Sequence, residues 1–280
     1  MNEVKDYAGE NQRILDRWMD AYTKKLGDNY EFAEDGLMFR GAIVSDGANW
    51  RHEPSGTENE LWSKCSIRIL YLTKEQNGGD IESGDYGAWD VRADAYHDPY
   101  SEPAENKLFN YRGGFNKNLV YSLYGLFKAT PGHYIEFEDV NEEDAVHYSD
   151  IIPYARINCK KIPGGSNCDE DALADAMKEF GSLLIEQINN LDADVFVCCG
   201  NKYKKNAILD FLNNNGYNFK EPEDNESYDI WYDEEKNKIA IDSYHLSYYS
   251  YARKSMYEDI VWTYHNFLRK HPSFYESHRK

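Results

Sequence analysis

The chain has 280 residues, room for one large domain or two small ones, and at 41% hydrophobic it can build a sizeable core. Its 31 Lys and Arg face 50 Asp and Glu, and the net charge of −19 opposes tight sequence-independent binding to nucleic acid, which needs Lys and Arg to displace counterions; a local basic groove is still compatible with it. The polar, acidic start MNEVKDYAGENQR is no secretory signal, no apolar run approaches the roughly eighteen residues of a membrane span, and Cys65, Cys159, Cys168, Cys198 and Cys199 lack framework spacing, so a cytoplasmic protein with no membrane association is expected.

In chain order, Asn11–Lys25 carries Ile14, Leu15, Trp18, Met19 and Tyr22 at spacings of three and four, which predicts a helix with one apolar stripe. Tyr30–Trp50 holds short apolar pieces broken by Asp35-Gly36 and Asp46-Gly47, read as irregular structure or a small hairpin, and His52–Asn59 is read as a loop. Ile67–Thr73 is an apolar run covered on both faces, the pattern of a parallel strand, and it stops abruptly in Lys74-Glu75-Gln76-Asn77 and two glycines. The acidic, Gly-rich stretch 78–105 has no periodicity; Tyr86, Trp89, Tyr96 and Tyr100 argue against disorder, leaving a lid with stacking aromatics or a loop pinned to the surface by them. Asn106–Lys128 reads as a helix facing the core through Phe115, Leu119, Val120, Leu123 and Phe127, and His133–Tyr148 as an acidic connection. A second strand, Ile151–Asn158, leads into the basic turn Cys159–Asn167, and Ser166 or Asn167 can cap a helix whose core face is Leu173, Met177, Phe180, Leu184 and Ile188. The third strand is Asp192–Gly200, followed by a helix over Tyr203–Asn214 that Asn215-Gly216 stops. A short edge strand fits Tyr228–Tyr232, Lys238–Asp242 is the fourth strand, and Ser255–Lys270 is the last helix.

Strand and helix alternate, which predicts an α/β fold: a three-layer α/β/α sandwich around a four-stranded parallel sheet, with strands near 67–73, 152–158, 194–199 and 238–242. Residues 1–60 are expected as a helical and irregular extension packed on that core, and 61–280 as a single domain with an inserted loop near 78–105. In such a sheet all four strand ends share one edge, where ligands bind. Lys74, Glu75 and Asn77, then Asn158 and Lys160, then Asn201, and finally His245 and Ser247 would meet there. Amides at such an edge can read a nucleobase through hydrogen bonds, and a histidine can move a proton or steady a developing anion. Each residue alone has a plainer reading, as a helix cap, a surface acid or a loop histidine.

This pattern resembles the uracil-DNA glycosylase superfamily, over Ser66–Leu268. Its members have four parallel strands in the spatial order second, first, third, fourth. A first motif, Gly-Gln-Asp-Pro or Gly-Glu-Ala-Pro, follows the first strand, a base-reading Asn ends the second in some branches, and a His-Pro-Ser-type loop follows the fourth. Here Lys74-Glu75-Gln76-Asn77-Gly78, Asn158 and His245-Leu246-Ser247 stand at those places. Lys74 replaces the first glycine, Asn77 and Leu246 replace prolines, and Gln76 stands where some branches carry a water-activating Asp. The resemblance implies that Asn158 reads the base, Glu75 positions or activates water, and His245 stabilises the departing base, with Lys74, Asn77, Lys160, Asn201 and Ser247 as further substrate contacts. Two functions stay open. One is recognition of a nucleobase, nucleotide or nucleic acid, with or without hydrolysis of an N-glycosidic bond. The other is a non-catalytic relative that meets a protein partner through its acidic surface. The chain carries no phosphate loop of the GxxxxGK[ST] form, no GxGxxG turn, no GxSxG elbow and no CxxC, so no cofactor and no metal are expected.

Overall fold

The computed structural model describes residues 4–28, 30–45, 50–76, 87–96, 114–164, 170–200, 206–223, 229–248 and 250–278. Helix α1 (Tyr7–Leu26) begins where the Asp6 carboxylate accepts the Gly9 N–H at 3.0 Å, and it ends at Gly27, whose φ of 75° suits a residue without a Cβ. Two short strands follow, β1 (Glu31–Glu34) and β2 (Gly36–Met38), then the hairpin of β3 (Ile43–Ser45) and β4 (Trp50–His52), and helix α2 (Thr57–Lys64). The central strand is β5 (Ile69–Thr73), every residue of it buried. Next come β6 (Gly87–Asp90), α3 (Val91–Asp94), α4 (Gly114–Lys128), α5 (Glu142–Ile151) and β7 (Tyr154–Asn158). The C-terminal half comprises α6 (Glu170–Glu179), α7 (Gly181–Leu191), β8 (Val195–Gly200), α8 (Ala207–Asn214), β9 (Ile230–Asp233), β10 (Lys238–Tyr244), α9 (Arg253–Lys270) and α10 (Pro272–His278).

Among the described residues, six strands form the main sheet in the order β2-β7-β5-β8-β10-β9. β7, β5, β8 and β10 run parallel, while β2 and β9 close the two edges antiparallel. The sheet is therefore two strands wider than the four expected. One extra strand is the edge strand expected near Tyr228–Tyr232. The other comes from the N-terminal stretch: Gly36 adopts a φ of 134°, and Gly36–Met38 pair with Tyr154–Arg156. Asp35, expected in a surface turn, is consequently buried.

Helices flank the sheet, and the period-two alternation of the strands sends side chains to two separate cores. Ile69, Tyr71, Tyr154, Val197, Cys199 and Ile241 pack with α4, α5 and α9. Leu70, Leu72, Ile157, Phe196, Cys198 and Ala240 pack with α1, α2, α6, α7 and α8. α5 forms in the stretch read as a connection, because Asn141 caps the Asp144 N–H at 3.0 Å and three acids occupy its first turn. α2 likewise occupies residues read as loop and strand approach. The helix expected through Leu173–Ile188 breaks into α6 and α7 at Phe180-Gly181, though all five of its core-facing residues are buried. Part of the 78–105 insertion is described: β6 pairs with β1, Arg92 is buried on Asp90 and Gln12, and the Tyr96 hydroxyl donates to the Ser149 carbonyl at 3.2 Å. Those contacts pin it to the body; Tyr86 and Tyr100 lie outside the described residues. No described helix is long and apolar enough to cross a membrane.

Candidate functional site

β5 lies between β7 and β8; the chain leaves β5 toward β7 on one side and leaves β8 toward β10 on the other, the reversal at which a crevice opens beside the carboxyl end of β5 in sheets of this kind. The loops that follow β5 and β7 stay bonded to each other beyond the strands. Cys159 N–H donates to Thr73 O at 2.8 Å, Lys160 N–H to Lys74 O at 2.9 Å, and Gly164 N–H to Gln76 O at 2.9 Å. A Cβ at Gly164 would meet the Glu75 carboxylate, so a larger residue there would displace that side chain from its present position.

Register places Thr73 opposite Asn158. Counting by twos, Thr73 shares a sheet face with Tyr71, and Asn158 with Arg156 and Tyr154. That face looks toward α4, since the Tyr71 hydroxyl bonds Ser122 Oγ at 2.9 Å. The Thr73 hydroxyl donates to Asn158 Oδ1 at 2.7 Å. Asn158 is fully buried, and its Nδ2 has no hydrogen-bond partner. Arg156 reaches from the same face to Gln76, donating from Nη2 to Oε1 at 2.7 Å, and its guanidinium stacks 4.4 Å from the centroid of Phe115 on α4. His245 stands beside Phe115, ring centroids 5.6 Å apart. Its loop is held by Asn118, which donates to Leu246 O at 2.7 Å and accepts from Arg253 Nε at 3.0 Å. Burial, with the Arg156 and Lys74 cations nearby, pulls the His245 pKa down to about 4. The ring is therefore neutral at neutral pH. Its Nδ1 lies 2.8 Å from Ser247 Oγ and accepts the Ser247 N–H at 3.4 Å, which leaves the proton on Nε2 as a donor.

The other expected residues are held differently. Lys74 pairs with Glu170, and Glu75 pairs with Lys160 on the β7 side of the crevice. Neither ion pair touches His245. Ser247 is exposed and serves as the His245 partner. Asn77 and Asn201 lie outside the described residues. Next to Asn201, Gly200 admits the side chain of Asn206, which caps α8 and also bonds Cys198 O and Asp242. The site edge is backed by a buried polar cluster from the other end of the chain. Asp35 accepts the Asn158 backbone N–H at 2.8 Å, Lys161 Nζ at 2.5 Å and Gln187 Nε2 at 3.0 Å.

The structure thus gathers Thr73, Gln76, Phe115, Arg156, Asn158 and His245. Sequence reasoning missed Arg156, Phe115 and Asp35. The signal for Arg156 was an arginine inside YARIN, a strand otherwise covered on both faces, where a charge needs a partner. Phe115 and Asp35 read as ordinary core and turn residues, and nothing local distinguishes them. Among the described residues no three His, Cys, Asp or Glu side chains group as metal ligands, and Cys65, Cys159, Cys198 and Cys199 are free thiols. Comparison with protein-family models finds none that matches the chain, and comparison with curated proteins finds no match either.

Proposed function

We propose that the protein is a divergent uracil-DNA-glycosylase-like protein that binds a nucleobase, free or within a nucleotide or single strand, in the crevice at the carboxyl ends of its parallel strands. One observation carries this reading. The Asn158 oxygen is taken by the Thr73 hydroxyl, so its amide is held with Nδ2 unpaired and buried. An unsatisfied buried donor costs about 1–3 kcal/mol, which a ligand carbonyl would recover. Neutral His245 adds a second donor. The order β7-β5-β8-β10 is the second, first, third, fourth arrangement of that superfamily, and it supports the reading.

Hydrolysis of an N-glycosidic bond is the lesser part of the proposal. Glu75 is neutralised by Lys160, and the Gln76 amide, which is no base, is engaged by Arg156. Neither is poised to take a proton from water, so excision is slow or absent. Because Asn158 is fully covered, binding includes an opening of the crevice and is slower than diffusional encounter.

The test is calorimetric titration with uracil, thymine, cytosine and adenine, alongside an excision assay on uracil-containing single strands. A carbonyl opposite Asn158 should be preferred to an amino group, and Asn158→Ala should weaken binding by up to about a hundredfold. Base binding that is absent, or indifferent to Asn158→Ala, overturns the site. Robust excision that survives both Glu75→Gln and His245→Ala overturns the assignment of roles.

A further inference from the structure

Among the described residues, Arg156 stands apart from the other buried lysines and arginines and from the paired cations near them. Lys161 has Asp35 at 2.5 Å, Arg92 has Asp90 at 2.8 Å, and Arg68 has Asp192 and Asp194, each at 2.9 Å. Lys74 has Glu170 and Lys160 has Glu75. Arg156 is only 8% exposed, yet no described carboxylate forms an ion pair with it. Its contacts are an amide oxygen and an aromatic ring, and its Nε has no partner. Acids are not scarce here, with 50 in the chain. A buried guanidinium without an anion is costly, because its charge is desolvated and nothing opposite replaces the lost water. Burial also pulls its pKa downward, the direction of a cation short of compensation.

The surroundings do not fully cancel that charge. Gln76 and Phe115 are neutral, His245 is neutral at physiological pH, Lys74 is already paired, and Asp35, the acid whose field reaches Arg156, is committed to Lys161. Arg156 and Asn158 lie two residues apart on one face of β7, so the partnerless, buried Nε and Nδ2 sit on the same side of the sheet, at the edge where the crevice would open. We infer that the ligand is an anion, with carboxylate or phosphate oxygens seated on Arg156 while Asn158 takes a ring carbonyl. This deepens the base-binding reading and rests on it for the ring, but not for the charge. Guanidinium binds such oxyanions through paired, charge-assisted hydrogen bonds, and the Phe115 ring fixes the plane of the fork.

The experiment titrates the full chain with four probes: uracil, uracil-6-carboxylate, uridine 5′-monophosphate and inorganic phosphate. The expected result is that one anionic pyrimidine binds at least about tenfold tighter than uracil, the second identifying whether carboxylate or phosphate is preferred. Arg156→Met should weaken that probe by at least about tenfold more than it weakens uracil, whereas Asn158→Ala weakens both. Arg156→Lys, which keeps the charge but loses the fork, should fall between. Circular dichroism and melting of each variant establish folding, and the favoured anion should raise the melting temperature of the wild type but not of Arg156→Met. Equal affinity for uracil and both anionic pyrimidines overturns the inference, as does an equal loss for all probes in Arg156→Met. Binding of phosphate alone, lost in Arg156→Met, would retain the anion and refute the base. Failure of every probe refutes both.

Discussion

Asp35 and Lys161 are each completely buried, and each is the other's charge partner. Burial pushes the Lys161 pKa down, and Asp35 pushes it back up. Breaking such a pair strands a charge, so Lys161→Met or Asp35→Asn should each cost about 3–5 kcal/mol in urea unfolding. The joint replacement Asp35→Leu with Lys161→Met should cost less than the sum of the single changes, and strict additivity would refute the pairing. The histidines set a second expectation. His52 and His245 are both held near a pKa of about 4, by burial first and by neighbouring cations second, against an ordinary value of 6.5. Between these values the unfolded chain binds more protons than the folded one, so stability is complete above 6.5 and declines as pH falls to 4. The loss is on the order of 3 kcal/mol for each at most. Urea unfolding at a series of pH values should show this slope, and His52→Gln should flatten it. Asp94, whose pKa burial raises to about 6, works in the opposite sense, so the decisive quantity is the difference between the two profiles, and identical profiles for wild type and His52→Gln would rule it out.

Helices α4 and α9 pack against each other, and Gly125 lies at their contact. A Cβ there would sit 2.6 Å from both the Tyr257 hydroxyl and Val261 Cγ2. Two effects of alanine compete at this position. Helix propensity favours it by up to about 1 kcal/mol, while overpacking costs about 1–3 kcal/mol. Both neighbours sit on a buried face of α9, and the Tyr257 hydroxyl is committed to Ile135 O at 2.7 Å, so crowding should win. Gly125→Ala is expected to lower stability by about 1–2 kcal/mol. A stabilised variant would mean that α9 yields. The consequence would reach the crevice, because Asn118 on α4 and Arg253 on α9 together hold the His245 loop.

Charge governs the molecule's dealings with polyanions. The net charge of −19 is offset at the crevice only by the buried Arg156, since Lys74 and Lys160 are already neutralised by Glu170 and Glu75. Few cations are left to release counterions from a duplex. Fluorescence anisotropy at about 0.15 M salt should therefore show no binding of random duplex DNA below about 10 μM protein. Tighter, steeply salt-dependent binding would reveal a basic surface elsewhere. At the opposite end of the sheet, Arg68, Asp192, Asp194, Lys238 and His278 form one network that ties α10 to the strands. Its charge-paired Asp194 has a pKa near 2 although burial opposes ionisation, so its pairing with Arg68 releases only in strong acid, well below the range of His52 and His245, whereas the His278 ion pair fades as pH rises through a pKa that, despite burial, Asp194 holds above the ordinary value.

How much of this could be read from the chain depended on distance. The stripe of α1, the four parallel strands and the neutral or apolar faces of α4, α7 and α9 are periodic patterns within one element, and periodicity is local. The gathering of polar residues at the strand ends followed from parallelism alone, which is why Asn158 and His245 could be named in advance. Three things were not local. β2 is three residues long and becomes a strand only because Gly36 turns it onto β7. Asp35 looks like a turn residue until Lys161, 126 positions away, is folded against it. Arg156 differs from a surface arginine only through its amide partner Gln76, 80 positions earlier, and the ring of Phe115. A charge's significance lies in what surrounds it, since desolvation and pairing, not residue type, decide its energy. Packing alone brings those surroundings together, and among the described residues it left the buried Arg156 without an ion pair.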